Sequence, residues 1–402
     1  MHETITVGCD LHDKTLLLAI GTGDKEVVFR TWPNTRAKRQ AMIADLRRRA
    51  EAVGARRIVV AYESSGLGFV LHDQLVAAGI ACSVLAPSRI ARCTKHRRRK
   101  TDRQDALRLL ELLRAHVLAG NALPSIWIPD AQTREDREVV RTRLDVAAKI
   151  SRIKSQIRCL LKRHGLEAGD APGRPWTVAY GRWLAALQGR RLGAGASTAL
   201  ASLMRQLASL EEELTVVTAE VTALSKTPRY APVVASVCRA KGVGVVTAMV
   251  FLTELGDLTR FANRRQVGSF LGLTPASYES GDADDRKGHI THQGPSRVRK
   301  VLNQAARSRI RTDPAAARWY AQAAGRNPKH KKIAVVGEMR RLAVQCWHHG
   351  REAQVALRQS SGPASAPRGA DGSAPAQHGV VQESPRGRLR TFLADGRPGG
   401  PR

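Results

Sequence analysis

The spacing of apolar residues changes once along this 402-residue chain, and the change separates a part that can form a sheet from a part that must form long helices. Up to about residue 125, short apolar runs alternate with helical spacings. Strands are predicted at Ile5–Cys9, Thr15–Ile20, Arg57–Tyr62 and Ala81–Ala86, with a further candidate at Glu26–Thr31. Helices are predicted at Arg36–Ala52 and Val70–Ala78.

The order of these elements favours an α/β fold of the ribonuclease H-like (RNase H-like) kind. A polar turn at His12–Lys14 joins the first two strands into a hairpin, and a third strand would complete a meander before strands and helices alternate. Other α/β folds share parts of this order, including actin-like ATPases. An ATPase is disfavoured because no further glycine-rich phosphate loop follows the other strands.

After Thr133 the apolar residues follow a heptad spacing. They recur at intervals of three and four in two segments, at Val146, Ile150, Ile153, Ile157 and Leu160, and at Leu203, Leu207, Leu210, Leu214, Val217, Val221 and Leu224. Such seams predict two helices of a bundle, or an antiparallel or intermolecular coiled coil. Basic residues lie outside the first seam, and we expect Arg152 and Arg158 among them to contact a phosphate backbone.

Composition shifts suggest four regions. We expect an α/β domain at 1–125, a coiled-coil helical region at 126–228, a mostly α-helical C-terminal domain at 229–350 and a disordered tail at 351–402. Gly242 and Gly244 predict a helix-hairpin-helix-like segment at the beginning of the third region, since such glycines let backbone N–H groups approach a phosphate.

The charge of the chain points to a polyanionic partner. Its 66 Lys and Arg residues exceed its 35 Asp and Glu residues, which gives a formal net charge of +31. Nucleic acid is the expected partner, because the sequence shows no basic amphipathic helix suited to a membrane surface. No apolar run reaches the ~18–20 residues of a membrane span, and no signal peptide is recognisable. Six scattered cysteines without a paired motif fit a reducing cytoplasm, where we expect the protein to act.

Four acidic residues stand where side chains of α/β proteins converge on ligands. Asp10 ends the first strand, and Glu63 follows the strand Arg57–Tyr62. Asp102 and Asp105 fall in the first turn of a helix that begins at a capping box.

These four carboxylates predict a metal site. Like charges persist close together when a cation neutralises them, and oxygen ligands suit Mg²⁺ or Mn²⁺. Two such ions can flank a scissile phosphate. A basic run directly before the acidic helix would draw nucleic acid to the site, at Arg97, Arg98, Arg99 and Lys100.

Ser280 is the candidate nucleophile of the third region. A serine hydroxyl can attack a DNA phosphodiester and keep its energy as a phosphoserine ester. On the residues alone Ser277 and Ser269 compete equally, because a serine before glycine is usually a turn residue. The developing charge needs nearby cations, and the candidates are Arg286, Lys287, Arg297, Arg299 and Lys300. Three acids, Asp282, Asp284 and Asp285, follow the serine, where repulsion of a phosphate is expected.

Several blocks of the sequence resemble one family. VGCDLHDKT, VVAYESSG and KTDRQDALRL resemble the DEDD-type transposases of insertion sequences, whose first domain is similar to the RuvC Holliday-junction resolvase. FLGLTP…SG…GHIT…G…RVRKVLNQAA is similar to the C-terminal transposase domain of the same family, and the resemblance covers roughly residues 4–345. It implies Asp10, Glu63, Asp102 and Asp105 as a metal-binding tetrad and Ser280 as the nucleophile.

The same resemblance implies an activity and partners. The implied protein is a recombinase that excises and inserts a mobile DNA element, guided by a structured RNA that the element encodes, and it acts as a dimer or tetramer. Two alternatives stay open. One is a RuvC-like, metal-dependent junction nuclease that hydrolyses DNA with water, and the other is a non-catalytic nucleic-acid-binding protein.

Overall fold

The computed structural model describes residues 4–22, 27–90, 101–278 and 286–360, and it divides into two compact units between Ile128 and Pro129. Arg97–Lys100, Ser280 and the expected tail beyond residue 360 lie outside the described residues.

A five-stranded sheet forms the centre of the first unit. Its strands are β1 (Thr4–Leu11), β2 (Thr15–Thr22), β3 (Val28–Pro33), β4 (Arg57–Glu63) and β5 (Ala81–Leu85). The order across the sheet is β3-β2-β1-β4-β5. The first three strands are antiparallel neighbours, whereas β4 pairs in parallel with both β1 and β5. The predicted meander and the alternation that follows it are therefore confirmed, as is the α/β class of this part of the chain.

Helices cover both faces of the sheet. On one face, α1 (Arg36–Ala52) and α2 (Val70–Ala77) bury the odd-numbered residues of β1, such as Val7, in the larger core of the unit. On the other face, α3 (Asp102–Ala119) packs its leucines against residues such as Ala61 of β4. The alternation of side chains along each strand supplies both faces with apolar groups.

The backbone of α3 lies directly against β1 because residue 8 is a glycine. A Cβ atom on Gly8 would overlap the carbonyl oxygen of Ala106 and the backbone nitrogen of Leu110. Both overlaps are with backbone, so no rotation of a side chain would relieve them. The helix begins as the sequence predicted, since the hydroxyl of Thr101 accepts a hydrogen bond from the backbone N–H of Gln104 at 3.3 Å.

The second unit is mostly helical. Its long helices are α4 (Ala131–Arg163), α6 (Ala194–Ser225) and α12 (Pro328–Ser360). The shorter ones are α5 (Val178–Leu187), α7 (Ala231–Cys238), α8 (Val245–Leu255), α9 (Arg264–Phe270), α10 (Ser296–Thr312) and α11 (Pro314–Ala324). Single 3₁₀ turns lie at Pro87–Arg89 in the first unit, and at Ala168–Asp170 and Leu258–Arg260 in the second.

The two heptad seams pair with each other inside the chain. Arg143 of α4 donates to Thr218 of α6 at 3.3 Å, and Lys154 pairs with Glu211 at 2.7 Å, so the two helices run antiparallel. Apolar residues of α4 and α6, with those of α5, form one core, while the opposite ends of both helices join the core of the C-terminal helices. The apolar core is therefore continuous across residue 228.

Three features of the second unit were not predicted from the sequence. Short strands β6 (Pro275–Tyr278) and β7 (Arg286–Ile290) pair antiparallel before α10. The stretch between the two seams contains α5. The helix α12 continues to Ser360, ten residues into the segment 351–402 that composition suggested as a tail.

Substitution of Gly8 by alanine tests the close packing of α3 on the sheet. We expect Gly8→Ala to lower the free energy of unfolding by about 3 kcal/mol, because the new methyl group must push the helix backbone off β1. Chemical denaturation measures the change. The matched control is Gly66→Ala in the same unit, where no atom lies within 4 Å of the new Cβ, and it should change the free energy by less than about 0.5 kcal/mol. Equal stability of the two variants would contradict this packing.

Candidate active site

The register of the sheet brings Asp10 and Glu63 side by side. Cys9 of β1 pairs with Tyr62 of β4 in the parallel ladder, so the next residues on the two strands are Asp10 and Glu63. Neighbouring strands lie about 4.8 Å apart, and residues at one register position point to the same face. Gly8 lies on the same face, and α3 covers it.

The first turn of α3 lies next to Asp10. Ala106 packs on Gly8, and Asp102 precedes Ala106 by four residues, one helical turn along the same face. Asp10 follows Gly8 by two positions and lies on the same face of β1, so the helix places Asp102 beside Asp10.

His12 joins the two aspartates. Its Nε2 atom lies 3.0 Å from Oδ2 of Asp10 and 3.5 Å from Oδ1 of Asp102. Ligand atoms of these three residues all lie within 4.8 Å of one another. The turn that carries His12 is fixed by Asn34, whose amide donates to the carbonyl oxygen of His12 at 2.7 Å. Sequence reasoning placed His12 only in a turn, although its position two residues after a strand-end aspartate was a usable signal.

The carboxylates impose an electrostatic cost on one another. Burial raises the pKa of the Asp10 carboxyl; contact with His12 lowers it, the charges of Asp102 and Asp105 raise it, and the net pKa is above the ordinary value. Asp105 is half-buried, and its Oδ1 atom lies 3.9 Å from the guanidinium of Arg108. A cation among these groups would stabilise their ionised forms.

The donor set fits a divalent cation. Carboxylate oxygens are ligands of Mg²⁺, and Mn²⁺ accepts an imidazole nitrogen beside them. The structure gathers Asp10, His12 and Asp102 into one cluster, sets Glu63 beside Asp10 by register, and holds Asp105 close enough to Asp10 to affect its ionisation.

The basic residues predicted to bind nucleic acid have different environments in the second unit. Arg152 and Arg158 are exposed on α4, and Lys300 is exposed on α10. Arg286 and Lys287 lie in β7, where their backbones pair with Tyr278 and Ser277.

Two of the predicted cations already have protein partners. Arg297 pairs with Asp145 at 3.3 Å. Arg299 donates from Nη1 to the carbonyl oxygens of Leu271, Gln293 and Gly294 at 3.0–3.1 Å, so its guanidinium ties the segment before α10 to the end of α9.

Carboxylates and a histidine at the ends of adjacent strands of a mixed sheet are suited to divalent-metal chemistry on phosphodiesters. Comparison with known families narrows this class. Residues 7–165 match the model of the DEDD transposase domain, and residues 235–321 match that of the transposase IS116/IS110/IS902 family.

Individual relatives agree with these matches. The chain is 31% identical to the protein y4qE of Sinorhizobium fredii, which carries a transposase name, over 305 residues that cover 75% of this chain and 70% of the relative. It is 22% identical to the transposase for insertion sequence element IS1533 of Leptospira borgpetersenii, over 76% of this chain and 85% of that protein. The chain belongs to the IS110 family of DEDD transposases of insertion sequences.

Membership in this family implies an enzyme that binds DNA and transfers its strands, and its DEDD domain indicates use of a divalent metal. Among the described residues, no helix is both long enough and apolar enough to cross a bilayer.

The raised pKa of Asp10 predicts how its removal changes stability with pH. A carboxyl group whose pKa is higher in the folded than in the unfolded protein stabilises the fold at pH values below its unfolded-state pKa. This stabilisation is lost as the pH rises through its folded-state pKa. Without metal, Asp10→Asn should therefore raise the Tm at neutral pH, and the gain should disappear below pH 3.8. Thermal melts across pH in the presence of a chelator measure this.

Asp45 supplies a control of opposite sign in the same unit. Burial raises the pKa of Asp45, but hydrogen bonds and charges from Arg49 and Arg48 outweigh it and lower the pKa. Asp45→Asn should lower the Tm at neutral pH, and the loss should disappear on acidification. A pH-independent effect of Asp10→Asn would contradict the electrostatic cost assigned to this site.

Proposed function

We propose that this transposase excises and inserts its element with a tetrad of Asp10, Glu63, Asp102 and Asp105 and with Ser280 as the nucleophile. The cluster of Asp10 and Asp102 about His12, beside Glu63 in the sheet register, is the observation that carries the proposal. It falls inside the segment that matches the DEDD transposase domain.

The first unit supplies the metal site of this mechanism. The tetrad would hold Mg²⁺ or Mn²⁺, which when bound polarises the phosphoryl oxygens and stabilises the charge that develops in strand transfer. His12 holds the carboxylates of Asp10 and Asp102 in place through its contacts with both. The low exposure of Asp10 keeps its negative charge in a medium of lower dielectric, which strengthens its attraction for a cation.

The second unit supplies the nucleophile. The Ser280 hydroxyl loses its proton, its oxygen forms a bond to phosphorus, and the bond from phosphorus to one deoxyribose oxygen breaks to release a DNA hydroxyl. The resulting phosphoserine diester is resealed when a DNA hydroxyl attacks it and the serine leaves.

The described residues that follow Ser280 in the sequence support this role. Ser280 belongs to residues 279–285, which connect the hairpin strands β6 and β7, and Arg286 and Lys287 follow directly. Arg299 keeps the neighbouring backbone fixed through three carbonyl groups, and Lys300 beside it is exposed. In this proposal Arg286, Lys287 and Lys300 neutralise the developing charge.

Target choice in this proposal rests on a structured guide RNA encoded by the element. Base pairing then selects the DNA, so the protein needs no residues that read bases and can bind through phosphate contacts alone. In this proposal the protein acts as a dimer or tetramer, and its formal charge of +31 permits it to bind two polyanions. Changing the pairing segment of the RNA should move the insertion site, and an unchanged site would contradict guidance.

Metal binding is tested on the protein without DNA. Mg²⁺ at about a hundred times its Kd should raise the free energy of unfolding by about 2.7 kcal/mol, and Asp102→Asn should abolish most of this gain. Differential scanning calorimetry measures it. Asp13→Asn is the matched control, because it removes one exposed acid from the β1–β2 turn next to His12 and should retain the gain. If both variants lost the Mg²⁺-dependent gain equally, the cation would be bound by general electrostatic attraction and not at this site.

The serine is tested by trapping the covalent intermediate. Ser280→Ala should eliminate a denaturant-resistant adduct between the protein and labelled element-end DNA, whereas Ser277→Ala should retain it. Asp10→Asn should lower strand transfer at least 100-fold, since even residues that only support metal ligands contribute 10–100-fold. DNA cleavage without any adduct would favour a hydrolytic junction nuclease. Normal strand exchange by Ser280→Ala would refute the serine role.

A further inference from the structure

A cavity lined by arginines lies in the second unit, among α7, α9, α10 and α12. Its volume is about 920 Å³. Six arginines and two histidines line it, at Arg239, Arg264, Arg265, Arg309, Arg340, Arg341, His348 and His349. Glu352 is the one acid among the described residues that line it. This concentration of guanidinium groups favours binding of an anionic partner.

A buried acid lies behind part of the wall and pairs with two of its arginines. Glu338 has none of its surface exposed, and its two carboxylate oxygens lie 3.2 Å from Nε of Arg309 and 3.5 Å from Nη1 of Arg341. Arg341 also lies over the ring of Trp319, with its guanidinium carbon 4.5 Å from the ring centre. These ion pairs and the ring contact restrict the two arginine side chains before any ligand arrives, which lowers the entropic cost of binding.

Three further arginines have no acidic partner among the described residues. Arg264 and Arg265 are exposed at the beginning of α9. Arg340 lies against Gly268 of the same helix, whose lack of a side chain leaves room for the guanidinium. The three groups therefore present donors that protein acids do not satisfy.

The shape of the cavity favours a single strand over a duplex. A volume of about 920 Å³ can enclose a few nucleotides but not the width of a double helix. The exposed ring of His348 lies 4.5 Å from that of Trp347, so a flat imidazole surface stands among the arginines for a base to stack on. A basic groove with a ring for stacking is the usual design of a single-strand site. The segment 361–402 is a poor occupant because its six arginines outnumber its three acids.

We propose that this cavity binds a single-stranded nucleic acid segment through its phosphates, at a site separate from the carboxylates of the first unit. Arg264, Arg265 and Arg340 contact successive phosphates, and the Arg309–Glu338–Arg341 group fixes the floor. The site does not depend on the Ser280 chemistry or on the metal.

The experiment compares two charge-matched triple variants of the full chain. Binding of labelled oligo-U and oligo-dT of about 12 nucleotides is followed by fluorescence anisotropy over a range of salt concentrations. Arg264→Ala/Arg265→Ala/Arg340→Ala should lower the slope of log K against log salt by about 2, since each single-strand phosphate contact contributes ~0.7. A third variant, Arg264→Lys/Arg265→Lys/Arg340→Lys, should keep most of the slope because it retains the three charges, so a loss caused by misfolding can be told from a loss of charge.

The control triple removes three exposed arginines from the neighbouring helix region, Arg311, Arg318 and Arg326, and should leave the slope nearly unchanged. Protection of the cavity arginines from phenylglyoxal, located by mass spectrometry, gives a second measurement. Protection by either oligo-U or oligo-dT supports the proposal, and the stronger protection of the two shows whether the site prefers RNA or DNA. Equal slopes for the two alanine triples, equal protection by inorganic phosphate, or better protection by duplex DNA would overturn it.

Discussion

The backbone contact between Gly8 of β1 and the first turns of α3 is the constraint on which the candidate active site depends. It sets the distance between helix and sheet, and Asp102 reaches Asp10 and His12 only because Ala106 can rest on a residue without a side chain. The parallel pairing of β1 with β4 then adds Glu63 at the same register position. Packing of uncharged backbone thus buries Asp10 and brings other carboxylates close to it; burial first, and the charges of Asp102 and Asp105 after it, raise the pKa of Asp10.

The basic residues of this chain divide into two groups with different roles. Some guanidinium groups stabilise the second unit: Arg141 forms two hydrogen bonds, at 2.8 and 3.0 Å, with the buried carboxylate of Glu254, and Arg299 holds three carbonyl groups. Others, such as Arg264 and Arg265, face solvent without acidic partners among the described residues. The net charge therefore overstates the number of basic side chains that are available to nucleic acid. The positions of the second group of basic side chains decide where the nucleic acid binds.

The sequence predicted the elements of the site better than their contacts. Strand ends and a capping box are local signals, so the positions of Asp10, Glu63 and Asp102 followed from alternation and from Thr101. The contact of His12 with Asp102 depends on how closely a distant helix approaches β1, which no local pattern encodes. For the same reason no local pattern predicts that Arg141 pairs with Glu254, more than a hundred residues away. The hairpin β6–β7 was missed because its strands are short and polar.

The central claim is that three distant segments of the first unit gather around one divalent cation. Fe²⁺ binds oxygen and nitrogen sites of this type, and with ascorbate and peroxide it cleaves nearby backbone through hydroxyl radicals. Mass spectrometry of the full chain should find cuts beside Asp10, Glu63 and Asp102–Asp105 together, and excess Mg²⁺ should suppress all three. Cuts confined to one segment, or cuts that persist in Asp10→Asn, would contradict the account.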